Sequence, residues 1–261
     1  MVALRTEREI ELLRAADRIV AEVLAELASR VNAGVTTKEL DAIGEGMIRD
    51  SGGVPSFLGY RGYPSATCIS IDDVIVHGIP GDRRIENGQI VSIDVGVLYK
   101  GYHGDAAVSV GCGEVDRDRQ RLMRTTDRAL ARAVKAAREG NYLADVSRAI
   151  QSTCEREGFS VVRAFVGHGI GTEMHEDPQI PNFVTGSRGP RLRAGMVLAI
   201  EPMVNMGSHE IEVLDDGWTA VTADGLPSAH FEHSVVVRKG GGEILSTTPR
   251  LTWGVVAEEM E

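Results

Sequence analysis

The feature that most constrains the fold is an order of elements that occurs twice, two helices followed by strands. Thr6 and Glu9 have the spacing of a capping box, and apolar residues follow them at helical intervals. Thr36 and Glu39 form a second capping box, which predicts a helix that ends near Gly52. The segment after this helix loses the helical period and is typical of strands and turns.

The same order begins again near Asp116, where two further helices and then strands are predicted. A shift of 106 residues places Gly52 on Gly158, although the identity between the two parts is low. We therefore predict an α+β fold with two similar halves, roughly residues 1–113 and 114–261. Because no proline-rich or serine-rich linker separates them, the halves are expected to share one sheet.

Composition narrows the class of protein. The 28 basic and 38 acidic residues give a net charge of −10, which argues against nucleic acid or an anionic membrane as partner and suits a cationic ligand. The three cysteines have neither a disulfide-framework spacing nor a zinc-site spacing. The charged start indicates no signal peptide, and no apolar run reaches the ~18 residues of a membrane span. We therefore expect a cytoplasmic protein.

Two carboxylates in the middle of buried strands mark the first candidate site. The sequence VSIDVGVLYKGYHGDAAVSV, residues 91–110, predicts a hairpin that carries Asp94 and Asp105. With a turn at Tyr99–Lys100, the two aspartates face each other directly, and a one-residue difference in the loop would make them diagonal neighbours. Facing buried carboxylates repel, so either one is protonated or a cation lies between them. An exposed acidic pair is the alternative.

Three further segments place metal-binding side chains in apolar or glycine-rich sequence. They are VVRAFVGHGIG with His168, MVLAIEPMV with Glu201, and HFEHSVVV with Glu232. Together with the hairpin, they supply four carboxylates and one imidazole. This donor set suits divalent ions such as Mn(II), Fe(II), Co(II) or Zn(II), and two such ions would balance the four negative charges. We therefore predict a metal site with two ions.

On these residues the chain resembles the type I methionine aminopeptidases, metallopeptidases of family M24 with the pita-bread fold. The ligand order of that family is Asp, Asp, His, Glu, Glu, which falls here on Asp94, Asp105, His168, Glu201 and Glu232. The spacings of 11, 63, 33 and 31 residues fit the type I pattern. FLGYRGYP, GHGIG, HEDPQIPNF and DDGWT also match, and the resemblance covers nearly the whole chain.

The resemblance implies a curved antiparallel sheet shared by two pseudo-symmetric α+β halves. It also implies that residues 1–261 are a single catalytic domain, without the zinc-finger or proline-rich extensions of some relatives. Two divalent metal ions per chain are expected as cofactors, drawn from Co, Mn, Fe(II), Zn and Ni.

The resemblance further implies roles for individual side chains. His77 and His175 match residues that contact the scissile peptide bond and the tetrahedral intermediate, and Glu201 matches the residue that takes and passes the proton. The expected pocket for the methionine side chain consists of Tyr60, Tyr63, Cys68 and Trp218, with Phe57 and Met174 nearby. Arg61 stands where type I relatives commonly have histidine, and we expect its fixed charge to modulate activity without abolishing it.

The implied activity is removal of the initiator methionine from peptides and nascent chains whose second residue is small. A cytoplasmic monomer that acts at the ribosome is expected. One alternative is another pita-bread peptidase, an Xaa-Pro aminopeptidase or prolidase, although these usually carry an extra N-terminal domain. A non-catalytic peptide-binding or ribosome-binding relative is the other alternative, although such proteins lose metal ligands. The sequence has no HExxH or GxSxG motif, and GHGIGT lacks the third glycine of a dinucleotide site.

Overall fold

The computed structural model describes residues 2–247. Its α-helices are α1 (Glu7–Ser29), α2 (Thr37–Asp50), α3 (Arg117–Ala136) and α4 (Leu143–Arg156), and a short 3₁₀ turn covers Tyr60–Gly62. Its strands are β1 (Val54–Pro55), β2 (Thr67–Ile71), β3 (Val74–Val76), β4 (Ile90–Tyr99), β5 (Tyr102–Gly111), β6 (Ser160–Val161), β7 (Val166–Gly169), β8 (Glu176–Pro181), β9 (Val197–Ile200), β10 (Met203–Asn205), β11 (Ile211–Val213), β12 (Ala220–Thr222), β13 (Ser228–His230), β14 (Glu232–Val237) and β15 (Gly242–Ile244).

Both predicted capping boxes are confirmed. The Thr6 amide donates to the Glu9 carboxylate at 2.8 Å, and the Glu9 amide donates back to the Thr6 hydroxyl. The Thr36 amide makes the same bond to Glu39 at 2.8 Å. Each box satisfies amides that the first helical turn leaves free, so α1 and α2 begin where the sequence predicts.

The repeated order of elements is also present. Helices α2 and α4 each have 14 residues and begin 106 residues apart, and short strands β1 and β6 follow them. Gly52 and Gly158 have matching left-handed φ angles of 76° and 82°. This conformation is open to glycine and terminates both helices at equivalent points.

A nine-stranded antiparallel sheet joins strands from both parts of the chain. Its order is β1–β4–β5–β14–β9–β7–β8, with β2 beside β4 and β15 beside β14. Two three-stranded sheets, β13–β10–β6 and β11–β12–β3, accompany it. Strand β5 comes before helices α3 and α4 in the chain, and β14 comes after them. Since β5 pairs with β14, strands from the two parts of the chain meet at the centre of the large sheet.

The helices cover the sheet, and their apolar faces form one large core with it. Helix α1 passes so close behind β5 that a Cβ at Gly104 would lie 2.6 Å from the Asp17 amide nitrogen. Only glycine permits this approach, so α1 lies directly behind the strand that carries Asp105. Within residues 2–247, every helix is too short or too polar to cross a membrane.

Candidate metal centre

The hairpin of β4 and β5 places Asp94 and Asp105 on one face, but its register differs from the expectation. Tyr99 pairs with Tyr102, so Asp94 faces Ala107, and Asp105 is its diagonal neighbour. The predicted direct pairing is therefore wrong, and the diagonal arrangement expected from a one-residue difference in the loop is the one present. The turn consists of Lys100 and Gly101, with φ angles of 50° and 84°. Positive φ at both central residues is the requirement of a type I′ hairpin turn, and Lys100 with Gly101 meets it one residue beyond Tyr99–Lys100.

Five neighbouring strands each contribute one predicted ligand. In the order β4, β5, β14, β9 and β7, they carry Asp94, Asp105, Glu232, Glu201 (directly after β9) and His168. Ligand atoms of Asp105, His168 and Glu232 all lie within 4.8 Å of one another. The His168 Nε2 atom is 3.7 Å from Asp105 Oδ2 and 3.6 Å from Glu201 Oε1. Residues distant in sequence thus converge because their strands are adjacent in the sheet.

The protonation of the imidazole favours metal binding. His168 Nδ1 lies 2.9 Å from the Gly169 carbonyl oxygen, which can only accept a hydrogen bond. Burial, with the nearby His175 ring, lowers the pKa of His168 to about 3, so the ring is neutral. The proton therefore resides on Nδ1, and the lone pair of Nε2 points toward the carboxylates, as a metal ligand requires.

The carboxylates lack the partners that buried acids need. Burial raises the pKa of Asp94 to about 7, and burial with neighbouring acids raises the pKa of Asp105, Glu201 and Glu232 well above the ordinary range. Among the described residues, nothing hydrogen-bonds to Asp94 Oδ1, Asp105 Oδ1 or Glu232 Oε1. Oxygen and imidazole donors without partners, in this number, fit divalent cations.

Two supporting side chains were not predicted. Asp17 is fully buried on α1, and its Oδ1 atom accepts a hydrogen bond from the Asp105 amide at 3.2 Å. Ser234 Oγ donates to the Asp105 carbonyl oxygen at 3.0 Å. The sequence did contain a signal for this role, because Asp17 is an acid within the apolar stripe of α1, at helical spacing from Leu13 and Val20. These two contacts hold the backbone of Asp105 from behind.

A third unpredicted neighbour of the candidate metal ligands is His230. It is buried, and its Nε2 atom lies 3.9 Å from Glu201 Oε2 without a hydrogen-bond partner among the described residues. Burial lowers the pKa of His230 to about 3, so its ring is neutral beside the centre.

One cavity brings together the side chains that the sequence identified. Its lining consists of Phe57, Tyr60, Arg61, Tyr63, Cys68, His77, Asp94, Asp105, His168, Met174, His175, Glu201, Trp218 and Glu232. The carboxylates lie at its buried end, whereas Arg61 and His175 are exposed at its mouth. The cavity therefore leads from solvent to the candidate metal ligands.

The aromatic residues of the cavity contact one another and the neighbouring backbone. The rings of Tyr63 and Trp218 meet edge to face at 5.2 Å, and the single proton of the Tyr63 hydroxyl is shared between the carbonyl oxygens of Gly78 at 3.0 Å and Thr67 at 3.2 Å. Burial raises the pKa of the neighbouring Cys68 thiol, which keeps it uncharged. These groups form an apolar, polarizable wall of the kind that a thioether contacts favourably.

Phe57 and Met174 pack together over the hairpin. A Cβ at Gly96 would lie 2.7 Å from the Phe57 ring and 3.1 Å from the Met174 methyl group. Gly96 pairs with Asp105 in the sheet, so these two side chains lie beside the carboxylate cluster. The missing side chain of Gly96 provides the space they occupy.

His77 and His175 occupy different environments. His77 has a left-handed φ of 58°, a strained conformation for histidine, and its ring meets the Phe165 ring at 5.2 Å. The ring of His175 lies 4.3 Å from that of His168, and its Nδ1 atom is 2.8 Å from the Tyr60 hydroxyl. Although the residue as a whole is exposed, partial burial of the ring, with the positive charge of Arg61, lowers the pKa of His175 to about 4, so the ring is neutral at pH 7.

Comparison with known proteins identifies the family. The sequence profile of metallopeptidase family M24 matches residues 11–239. The chain therefore belongs to metallopeptidase family M24, a class of metal-dependent hydrolases, and its large sheet has the curled form of their pita-bread fold.

Individual relatives narrow the class. A protein of Clostridium perfringens named methionine aminopeptidase is 49% identical over 246 residues, which cover 94% of this chain and 99% of that protein. The crystal structure of methionine aminopeptidase from Thermotoga maritima has a TM-score of 0.93 at 44% identity, and the match covers 95% of this chain and all of that one. Within the family, the chain groups with the type I methionine aminopeptidases.

The fold extends to other enzymes. Prolidase from Pyrococcus furiosus has a TM-score of 0.77 at 24% identity, and this chain covers 65% of that protein. At this identity the likeness concerns the fold alone.

Proposed function

We propose that this chain hydrolyses the first peptide bond of peptides and nascent chains that begin with methionine and continue with a small residue. The observation that carries the proposal is one cavity lined by two chemically different groups of side chains. The carboxylates and His168 form the first group, and the aromatic and thiol groups around Tyr63 and Cys68 form the second, which adjoins the first where Cys68 pairs with Asp94. A free α-amine suits the first, and a thioether suits the second.

Asp94, Asp105, His168, Glu201 and Glu232 would hold two divalent ions, drawn from Co, Mn, Fe(II), Zn and Ni. The unpartnered oxygens and the exposed lone pair of His168 support this assignment. When bound, such ions supply Lewis acidity, which lowers the pKa of water and polarises a carbonyl group.

Glu201 would take the proton of the attacking water and pass it to the departing amine. Its position supports this role, because the carboxylate lines the cavity and its Oε1 atom lies 3.6 Å from His168 Nε2, beside the proposed ions.

His175 would donate a hydrogen bond to the scissile carbonyl oxygen. When the Tyr60 hydroxyl donates to Nδ1, the proton of the neutral ring is on Nε2, where it can stabilise the developing negative charge. His77 would contact the scissile amide or the following residue. Its strained backbone supports a functional role, since such strain concentrates at active sites.

The wider setting of the reaction is also a proposal. We propose that residues 1–261 act as one catalytic domain, as a monomer in the cytoplasm, on nascent chains at the ribosome. The match over 94% of this chain and 99% of a relative supports the domain assignment.

The test compares three tripeptides with protein loaded with Mn(II) and assayed for bound metal. We expect the protein to release methionine from Met-Ala-Ser, to release little from Met-Lys-Ser, and to leave Ala-Pro-Ser uncleaved. Preferred cleavage of Ala-Pro-Ser would favour an Xaa-Pro peptidase, and loaded protein that cleaves none of the three would favour a non-catalytic binding role. Equal kcat/KM for Met-Ala-Ser and Met-Lys-Ser would contradict the requirement for a small second residue.

A further inference from the structure

Arg61 is the lone cationic side chain among the described residues that line the cavity. It is exposed, whereas the carboxylates lie deeper, with Asp105 and Glu232 buried and Asp94 and Glu201 partly buried. A substrate whose amine reaches the carboxylates must therefore extend outward past Arg61. This placement makes Arg61 a candidate for contact with residues beyond the scissile bond.

The backbone fixes the position of Arg61. Its φ and ψ angles of 49° and 24° are left-handed, and Gly59 and Gly62 on either side also have positive φ. The Gly59 amide donates to the Tyr63 carbonyl oxygen at 2.8 Å, which closes the turn. A non-glycine residue in this region is held there by its surroundings, so the side chain starts from a defined point.

The guanidinium group is held but not neutralised. Its central carbon lies 5.4 Å from the centroid of the Tyr60 ring, a cation–π contact. No carboxylate among residues 2–247 lies within ion-pair distance of it. Its planar set of N–H donors is therefore available to a ligand.

The distance to His175 indicates which part of a substrate can reach this group. The Tyr60 and His175 rings stack at 5.2 Å, so the guanidinium is no more than about 11 Å from the His175 ring. An extended chain advances ~3.3–3.6 Å per residue, so this upper limit corresponds to at most about three residues. With the first carbonyl at His175 and a small second residue, the third and fourth residues are the ones whose side chains can extend to Arg61.

We infer that Arg61 forms a subsite that selects a carboxylate at the third or fourth residue of the substrate. The inference rests on the proposed function. A guanidinium binds a carboxylate through two parallel hydrogen bonds and repels a lysine at the same place. The carboxylate can belong to an Asp or Glu side chain, or to the C-terminus of a tripeptide.

The experiment measures kcat/KM for C-terminally amidated Met-Ala-Glu-Ser, Met-Ala-Lys-Ser, Met-Ala-Ser-Glu and Met-Ala-Ser-Lys at low ionic strength. The wild-type protein is expected to prefer glutamate over lysine by about threefold to tenfold in at least one position, in the range of an exposed ion pair. Added salt should reduce this preference. Comparing kcat/KM for Met-Ala-Ser and for its C-terminal amide tests whether the C-terminal carboxylate of a tripeptide also binds Arg61.

The variant Arg61→Gln should abolish the preference, and Arg61→Lys should retain part of it. The matched control is Arg188→Gln, because the Arg188 guanidinium also lies 5.4 Å from a tyrosine ring, that of Tyr142, away from the cavity. The control should keep the wild-type ratio.

Equal rates for acidic and basic peptides, or the same ratio in Arg61→Gln as in wild type, would overturn the subsite. Failure of the wild type to release methionine from any of these peptides would instead refute the proposed function. The two failures are therefore distinguishable.

Discussion

The proposed role of His175 depends on the Tyr60 hydroxyl, whose hydrogen bond to Nδ1 leaves the ring proton on Nε2. Replacing His175 with alanine should lower kcat by ~10²-fold or more, as expected for loss of one oxyanion donor, and should change KM little. Steady-state kinetics of the metal-loaded variant on Met-Ala-Ser measure both constants. If KM alone rises, the histidine binds substrate without acting on the transition state.

Asp17 acts on the centre through the Asp105 backbone. Asp17→Ala removes one of the two acceptors of the Asp105 amide, the other being Ser234 Oγ, and should weaken Mn(II) binding by ~10–100-fold, a usual effect of a residue behind a ligand. Asp17→Asn keeps an acceptor oxygen and should bind nearly as well as wild type. Competition with a chelator measures the affinity.

Thr126→Val is the control for Asp17, since it removes a buried hydroxyl that bonds to Leu122 in α3. It should leave the affinity unchanged. Mn(II) affinity of Asp17→Ala equal to that of wild type would show that Asp17 has no role in positioning Asp105.

At the scale of elements, the contact of α1 with β5 determines where Asp105 lies. In Gly104→Ala the new Cβ would lie 2.6 Å from the Asp17 nitrogen and 2.8 Å from the Ala16 carbonyl carbon. Both are backbone atoms, so the helix must shift, and we expect a loss of about 1–3 kcal/mol in the free energy of unfolding. Urea denaturation measures it.

Gly46→Ala is the matched control, because a Cβ at that helical glycine in α2 meets nothing within 4 Å. It should be neutral or stabilising, since alanine favours helix. An unfolding free energy for Gly104→Ala as high as that for Gly46→Ala would contradict the close approach of α1.

The helices and the β4–β5 hairpin show which parts of the fold can be predicted from the sequence. Capping boxes such as Thr6–Glu9 are local patterns, and the helices begin where they predict. The predicted turn at Tyr99–Lys100 was wrong by one residue because Lys100 has a left-handed φ, which is uncommon for lysine and which the sequence does not indicate. The contact of Asp17 with Asp105 spans 88 residues, and local spacing gives no information about it.

For the whole molecule, the buried acids make stability depend on pH and metal. Burial raises the pKa of Asp94 to about 7 and that of Asp17 to about 8. Between about pH 4 and these values, the folded protein binds more protons than the unfolded chain, so these groups reduce stability as pH rises. Buried histidines such as His168, with a pKa of about 3, have the opposite effect, but only below about pH 6.5.

The metal-free protein should therefore lose stability between pH 6.5 and 8, and its Tm should fall over this range. Mn(II) should raise the Tm more at pH 8 than at pH 6.5, because fewer protons compete for the carboxylates. Calorimetry with and without Mn(II) measures both effects. A Tm of metal-free protein that rises from pH 6.5 to 8 would refute this reading of the buried acids.

The central claim is that the five converging side chains bind the ions on which methionine release depends. Its most direct test is titration of metal-free protein with Mn(II), with bound metal and methionine release from Met-Ala-Ser measured on the same samples. We predict that activity rises with the amount of bound Mn(II) and saturates at two ions per chain. We also predict that Asp105→Ala folds but stays inactive at saturating Mn(II). Methionine release in excess chelator, or near-wild-type turnover by Asp105→Ala, would contradict the claim.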